Sequence, residues 1–217
     1  MRGDLVQTLA RLHDRMLGRE IPPIKRVVLE TTGLADPTPI VHTMMTDESV
    51  YRIYMLDGVV TTIDAELGLS QLDEHFESNK QVAIADRIVL TKTDRVDAAT
   101  AARLTGRAKA INRAADVVPA VNGEIAPSQL FHDAPHAHDH HHHDHAHDHA
   151  CGPACAHPDH HHEHLHGIES FSLIYDKPLD GNGLQLALQS LTAAYGARLL
   201  RLKGILNVEG YDVPVVV

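Results

Sequence analysis

Residues 87–94 read Arg87-Ile88-Val89-Leu90-Thr91-Lys92-Thr93-Asp94, and their reading decides the fold. Three consecutive apolar side chains, two of them β-branched, form a run too short for a helix and apolar on both faces. That is the pattern of a strand buried inside a parallel sheet. Working outward, residues 66–85 carry apolar side chains at mostly helical spacing, and Gly58-Val59-Val60-Thr61-Thr62-Ile63 is a second β-branched strand. Downstream, a helix is predicted near 97–111 and a strand near 116–119. This alternation implies βαβ units, so the predicted class is α/β, with a mostly parallel sheet covered by helices on both faces.

The same rhythm extends toward the amino terminus. Leu5, Leu9, Leu12 and Leu17, with Met16, recur at helical spacing behind Asp4, which predicts an amphipathic helix near 4–18 with Asp4 as N-cap. Lys25-Arg26-Val27-Val28-Leu29-Glu30 reads as another short buried strand, Thr31-Thr32-Gly33 as a turn, and Asp36-Pro37 as the cap-then-proline order that opens a helix.

The chain has 217 residues and 43% apolar content, enough for a real core. No apolar run approaches the roughly 18 residues that span a bilayer, and Met1-Arg2-Gly3-Asp4 lacks a signal peptide's apolar stretch, so the expected location is the cytoplasm. The net charge of −10 is concentrated: residues 131–167 hold six acids and no Lys or Arg, leaving 19 basic against 23 acidic side chains elsewhere. With no basic patch, neither nucleic acid nor an anionic membrane is an expected partner.

Between residues 132 and 166 the composition changes completely, with 16 of the 19 histidines, both cysteines and almost no large apolar side chain. Such a stretch cannot bury enough surface to offset the entropy of ordering it, which predicts a mobile loop. Its candidate metal ligands are His136, His138, His140, His141, His142, His143, His145, His147, His149, Cys151, Cys155, His157, His160, His161, His162, His164 and His166. Imidazole suits Zn²⁺, Co²⁺ and Ni²⁺, and at about four ligands per ion the tract could hold at most about four. Asp139, Asp144 and Asp148 can orient imidazoles or add oxygen ligands. Cys151 and Cys155, four positions apart, suit a shared metal better than a disulfide framework; two incidental reduced thiols is the alternative, as an inert polar linker is for the whole tract. His13, His42 and His75 stand alone on predicted helices and read as ordinary histidines, and Met44-Met45 reads as core packing. Beyond the tract, 168–175 alternates as a strand, 184–195 reads as a helix and 198–208 as a strand, the start of a small α+β domain.

Two motifs carry chemistry. In a nucleotide hydrolase, a strand that ends in Glu30 and reaches Gly33 three residues later places an acid beside a Mg²⁺ shell and a glycine N–H near the terminal phosphate. The plainer alternative is an acidic strand end before a glycine turn. In the second motif, Asp94 at the carboxyl end of a parallel strand can accept from both N1–H and the exocyclic amine of guanine, a two-point contact that adenine cannot reproduce. The Lys92 stem can lie along the base.

The pieces Arg2-Gly3-Asp4-Leu5, Glu30-Thr31-Thr32-Gly33-Leu34-Ala35-Asp36-Pro37, Leu56-Asp57-Gly58-Val59-Val60, Ile63-Asp64-Ala65, Ala85-Asp86-Arg87-Ile88, Thr91-Lys92-Thr93-Asp94 and Leu200-Arg201-Leu202-Lys203-Gly204-Ile205 occur in that order. Together they resemble the CobW family of P-loop GTPases, relatives of the nickel-insertion GTPases of hydrogenase and urease maturation. The resemblance implies Glu30 as the Mg²⁺-proximal acid, Thr31, Thr32 and Gly33 as the nucleotide-sensing switch, and Thr91, Lys92, Thr93 and Asp94 as the guanine site. Thr91 stands where the general GTPase pattern has Asn, so the amide that braces the base loop is absent and Asp94 carries most of the specificity. A family member should also contain G-x-x-x-x-G-K-[ST], whose backbone N–H groups and lysine hold the phosphates, and no such string occurs here. The family's C-x-C-C metal motif would lie just upstream of Arg2, and residues 213–217 end in mid-domain, so the chain is expected to be a fragment.

The resemblance divides the chain into a GTPase domain over 1–125, the histidine-rich loop over 126–166 and part of a C-terminal domain over 167–217. It implies a GTP-hydrolysing metallochaperone that uses GTP and Mg²⁺ and delivers Zn²⁺, Co²⁺ or Ni²⁺ to a client metalloprotein, the present chain being poorly active alone. The competing expectation is a non-enzymatic metal buffer acting through its histidines.

Overall fold

The computed structural model describes residues 2–33, 35–131, 168 and 173–216. Helix α1 spans Arg2–Leu17, so Asp4 sits in its first turn and is not the cap. An acid there still complements the helix dipole. Helix α2, Thr38–Thr46, begins where Asp36 Oδ1 accepts from the Thr38 N–H at 2.9 Å, as Asp36-Pro37 predicts. The short α3, Glu48–Tyr51, is capped by Asp47. Met45 is 44% exposed and so lies outside the core, contrary to its expected role.

Strand β1, Val60–Asp64, leads into α4, Gly68–Glu74, and α5, Phe76–Ile84; together these helices fill the stretch expected to be helical. They part at His75, where buried Asn79 donates to the carbonyls of Leu72 (2.6 Å) and His75 (3.1 Å). Strand β2, Arg87–Thr91, is followed by α6, Ala98–Ile111, capped by Asp97, and by β3, Asp116–Ala120. The order β1-β2-β3 is parallel throughout, the arrangement that the 87–94 reading implies. Helix α7, Pro127–Leu130, is a single turn inside the span expected to be a loop.

Helices α4, α5 and α6 cover one face of the sheet. Ile63, Ile88 and Leu90 pack there against Leu72, Val82, Leu104, Ala108 and Ile111, all 5% exposed or less. On the other face Val89 is buried, but Val60 and Thr62 of the edge strand are exposed, so the expected covering of both faces is incomplete among the described residues. Asn112 closes the carboxyl end of α5 by donating to the carbonyls of Val82, Ala83 and Ala85, in the region where a helix runs out of its own backbone donors. Gly68 is where helix meets strand most closely: a Cβ there would lie 2.4 Å from Ile63 Cγ2 and 3.1 Å from Leu104. Gly68→Ala should therefore destabilise the chain by about 1–3 kcal/mol through overpacking, read as a lower denaturation midpoint with an unchanged urea m-value.

Residues 25–30 do not form the strand expected of them. The segment joins no sheet, and Val28 is 71% exposed. A strand is stabilised by ladder hydrogen bonds and burial; this apolar run has neither, and Arg26 instead pairs with Asp57 (3.1 Å) and lies over the Phe131 ring (4.7 Å).

Downstream, α8 spans Gly181–Tyr195, capped by Asp180, with Leu179 bonded to Asn207 and Glu209. Residues 173–176 are irregular and exposed, residues 169–172 lie outside the described set, and most of 198–208 is also irregular: β4, Ile205–Leu206, pairs antiparallel with β5, Val215–Val216, and Val208 makes a single parallel bridge to Leu179. The strand predicted at 198–208 is thus shortened, and half of the one predicted at 168–175 lies outside the described residues. This part is tied to the sheet through Asp86, which precedes β2. Asp86 accepts from Val59 N–H (2.8 Å), Arg201 Nη1 (2.7 Å) and Lys203 Nζ (2.7 Å), and Arg201 also donates to the Ile84 carbonyl at 2.6 Å. No helix among the described residues is long and apolar enough to cross a membrane.

Candidate nucleotide site

Because the strands are parallel and in register, Asp64, Thr91 and Ala120 close β1, β2 and β3 side by side at one edge. Ligands of open α/β sheets bind beyond this carboxyl edge. Thr91 is committed to the sheet: its hydroxyl donates to the Ile63 carbonyl (3.2 Å), and its own carbonyl accepts from Ala65 N–H (2.9 Å). Lys92 then turns the chain with φ 56° and ψ 32°, a left-handed conformation that costs a non-glycine residue roughly 1–2 kcal/mol. Thr93–Arg95 makes one 3₁₀ turn before α6.

The Lys92 ammonium is anchored. It donates to Asp64 Oδ2 at 2.5 Å and lies 3.9 Å from Glu66, which also meets Arg95 at 3.4 Å. Asp64 accepts a further bond from Glu66 N–H at 2.8 Å. Partial burial raises its carboxyl pKa, but the bonds from Lys92 and from the Glu66 and Leu67 backbone outweigh burial and hold it below the usual carboxylate range. Asp94 differs. It is exposed, and no hydrogen bond or ion pair among the described residues engages its carboxylate. An anchored lysine beside an uncommitted carboxylate can receive a flat base bearing two adjacent N–H donors.

The acid-glycine turn stands apart from the strands. Glu30 is exposed, and Thr32 accepts from Ala35 N–H at 2.9 Å to close a turn around Gly33. A Cβ on Gly33 would meet nothing within 4 Å, and its φ is not positive, so neither neighbours nor backbone conformation demand glycine there. Helix α5 holds the segment: Gln81 donates to the carbonyls of Gly33 and Ala35, and Lys80 pairs with Asp36.

The seventeen metal-ligand candidates at 136–166 lie outside the described residues, and among the described residues no group of three or more His, Cys, Asp or Glu is arranged to hold a metal. Of the isolated histidines, His42 contacts Thr46 Oγ1 through Nδ1 at 3.3 Å, local helix chemistry as expected. The sequence reading gave no role to Asp64, Lys80 or Gln81. For Asp64 the available sign was an acid closing a β-branched strand, the same position Glu30 was given.

A parallel α/β sheet with a Thr-Lys-Thr-Asp loop at its carboxyl edge defines a nucleotide-binding domain of the P-loop GTPase class. A model described as CobW/HypB/UreG, nucleotide-binding domain, matches residues 1–119, and the cobalamin synthesis protein CobW C-terminal domain matches residues 168–217. The chain belongs to the CobW family. It is similar to the zinc chaperone YjiA of Escherichia coli (strain K12), 31% identical over 185 residues, 85% of this chain and 55% of that protein. It is also similar to zinc-regulated GTPase metalloprotein activator 1 of Saccharomyces cerevisiae, 32% identical over 38% of this chain and 23% of that one. The crystal structure of Zn(II)-bound YjiA GTPase from E. coli superposes with a TM-score of 0.62 at 28% identity, over 94% of this chain and 61% of that one. The chain thus spans about half the length of the first of these relatives and about a quarter of the second.

Proposed function

We propose that the chain is the guanine-recognising and metal-holding part of a GTP-dependent metallochaperone. GTP at the carboxyl edge of the sheet biases residues 31–36, and that bias governs transfer of a divalent metal to a client metalloprotein. The single observation that carries this reading is the uncommitted Asp94 carboxylate beside the anchored Lys92. Thr91 and Thr93 shape the base loop. Glu30, Thr31, Thr32 and Gly33 form the phosphate-sensing turn, and the open space at Gly33 suits an approaching ligand. Mg²⁺, when bound with the nucleotide, would neutralise phosphate oxygens, with Glu30 as the acid nearest to it.

The metal is cargo, and residues 136–166 supply its ligands. Zinc is favoured over cobalt and nickel because zinc appears in the names of both relatives. A non-enzymatic metal buffer is the second reading, favoured by the density of histidines over residues 136–166.

The two separate on base selectivity. Asp94 accepts from guanine's N1–H and amine, whereas Asn at this position would offer an N–H donor that suits the 2-oxo group of xanthine. Calorimetric titration of the intact chain should give weak binding of Mg·GTP with at least about a tenfold preference over Mg·ATP, and Asp94→Asn should shift the preference toward Mg·XTP. Equal affinity for the three nucleotides in both chains would leave the buffer reading. Submicromolar GTP affinity would show that the phosphates are held by groups not assigned here.

A further inference from the structure

Resting on the nucleotide reading, we propose that Gln81, assisted by Lys80, is a positioning residue: a latch on α5 that sets the resting position of the nucleotide-sensing turn. Gln81 Nε2 donates to two carbonyls of the turn, Gly33 O and Ala35 O, each at 2.9 Å. A primary amide has two N–H donors, and here both serve one irregular segment 46–48 residues away in sequence. One residue earlier, Lys80 Nζ meets Asp36 Oδ2 at 2.7 Å while Asp36 Oδ1 accepts from Thr38 N–H and starts α2. Three bonds from adjacent residues of one helix thus hold Gly33 and the residues that follow it, Ala35 and Asp36. The turn has no sheet ladder to hold it, because residues 25–30 join no strand.

The latch is also joined to the base site. The Gln81 carbonyl accepts from Thr61 Oγ1 at 2.7 Å in the middle of β1. Three residues beyond Thr61, the same strand ends at Asp64, the carboxylate that anchors Lys92. A ligand that draws Gly33 N–H or Glu30 toward itself must pull the Gly33 and Ala35 carbonyls off Gln81, so the resting hydrogen bonds oppose nucleotide binding by a fixed amount. Removing them should make the turn easier to recruit.

The test is amide hydrogen exchange across residues 31–38 in the full chain, without nucleotide and then with Mg·GTP or Mg·ATP up to millimolar concentration. Without nucleotide, Gln81→Ala should speed exchange in this segment by about tenfold, the size expected for losing one to two net hydrogen bonds, while amides of β2 and α6 stay protected. Gln81→Glu, nearly isosteric but presenting oxygens to two carbonyls, should loosen the segment at least as much, which excludes a mere cavity effect. Lys80→Ala should give a smaller increase and Lys80→Arg little. With nucleotide, the GTP concentration that half-saturates the exchange change should fall several-fold in Gln81→Ala. Unchanged exchange of 31–38 in both Gln81 variants would overturn the latch, and so would a loosened segment whose GTP threshold stays at that of the parent chain. If Mg·GTP alters nothing in the parent chain, it is the nucleotide reading that fails, and the latch stands or falls on the nucleotide-free comparison.

Discussion

Deleting residues 136–166 should remove most of the chain's capacity for zinc and nickel while leaving its melting behaviour in metal-free buffer nearly unchanged. The deleted stretch holds fifteen histidines and both cysteines, whereas the buried apolar residues of the described part lie between Leu9 and Ala120, with Val208 in addition. Capacity and core therefore reside in different residues. Histidine must be neutral to ligate, and its unperturbed pKa is about 6.5, so uptake should be strong near pH 7.5 and fall steeply toward about pH 5.5 as protons compete. Many near-equivalent donor sets predict several ions with graded affinities. Zinc and nickel titrations of the two chains at both pH values measure this. Equal uptake by intact and deleted chains would reduce the tract to a polar linker and remove the metal half of the proposed function.

Asp86→Ala should be the most destabilising single substitution of those named, costing about 2–4 kcal/mol, because it strands a mostly buried cation and frees the N–H just before β1. Asp86 is 13% exposed and Arg201 14%; Lys203, at 52%, contributes much less through solvent screening. Burial raises the Asp86 pKa, but hydrogen bonds from Lys203 and Val59 N–H and the charge of Arg201 outweigh burial and leave it lowered. A lowered folded-state pKa means that the folded form binds its proton more weakly than the unfolded chain. The clasp thus contributes fully above the unfolded value of about 3.9 and is lost as pH falls through the lower folded value. Urea denaturation should show the loss at pH 7, and the gap between parent and Asp86→Asn should narrow below about pH 4. A loss under 1 kcal/mol at neutral pH would mean that the carboxyl-terminal part is held elsewhere.

The sheet was legible because its signal is local. Three apolar residues between Arg87 and Thr91, a cap at Asp97 and β-branched residues at 60–63 specify strand, helix and strand without knowledge of anything distant. Residues 25–30 look equally strand-like by that measure, yet Val28 is exposed and no ladder forms. Apolar sequence specifies what could be buried, while pairing depends on a neighbour that no local pattern names. The strand predicted at 198–208 is shortened to Ile205–Leu206 for the same reason. At the site, Lys92 and Asp94 were readable from type and order. Their setting was not: Asp64 is 28 residues from Lys92, and Gln81 is 48 residues from Gly33, so both contacts exist only once the fold has formed. The same holds for Asp86 and Arg201, whose motifs were quoted separately and meet across the chain.

The central claim is that guanine is recognised at the carboxyl end of β2. Backbone amide chemical shifts of residues 91–95 in the isotope-labelled intact chain, followed during titration with Mg·GTP and separately with Mg·ATP, test it most directly. The account predicts saturable shifts centred on Lys92, Thr93 and Asp94 with Mg·GTP at high micromolar to millimolar concentration, and little change with Mg·ATP. Shifts of equal size with both nucleotides, or shifts from Mg·GTP that leave residues 91–95 untouched, would contradict it.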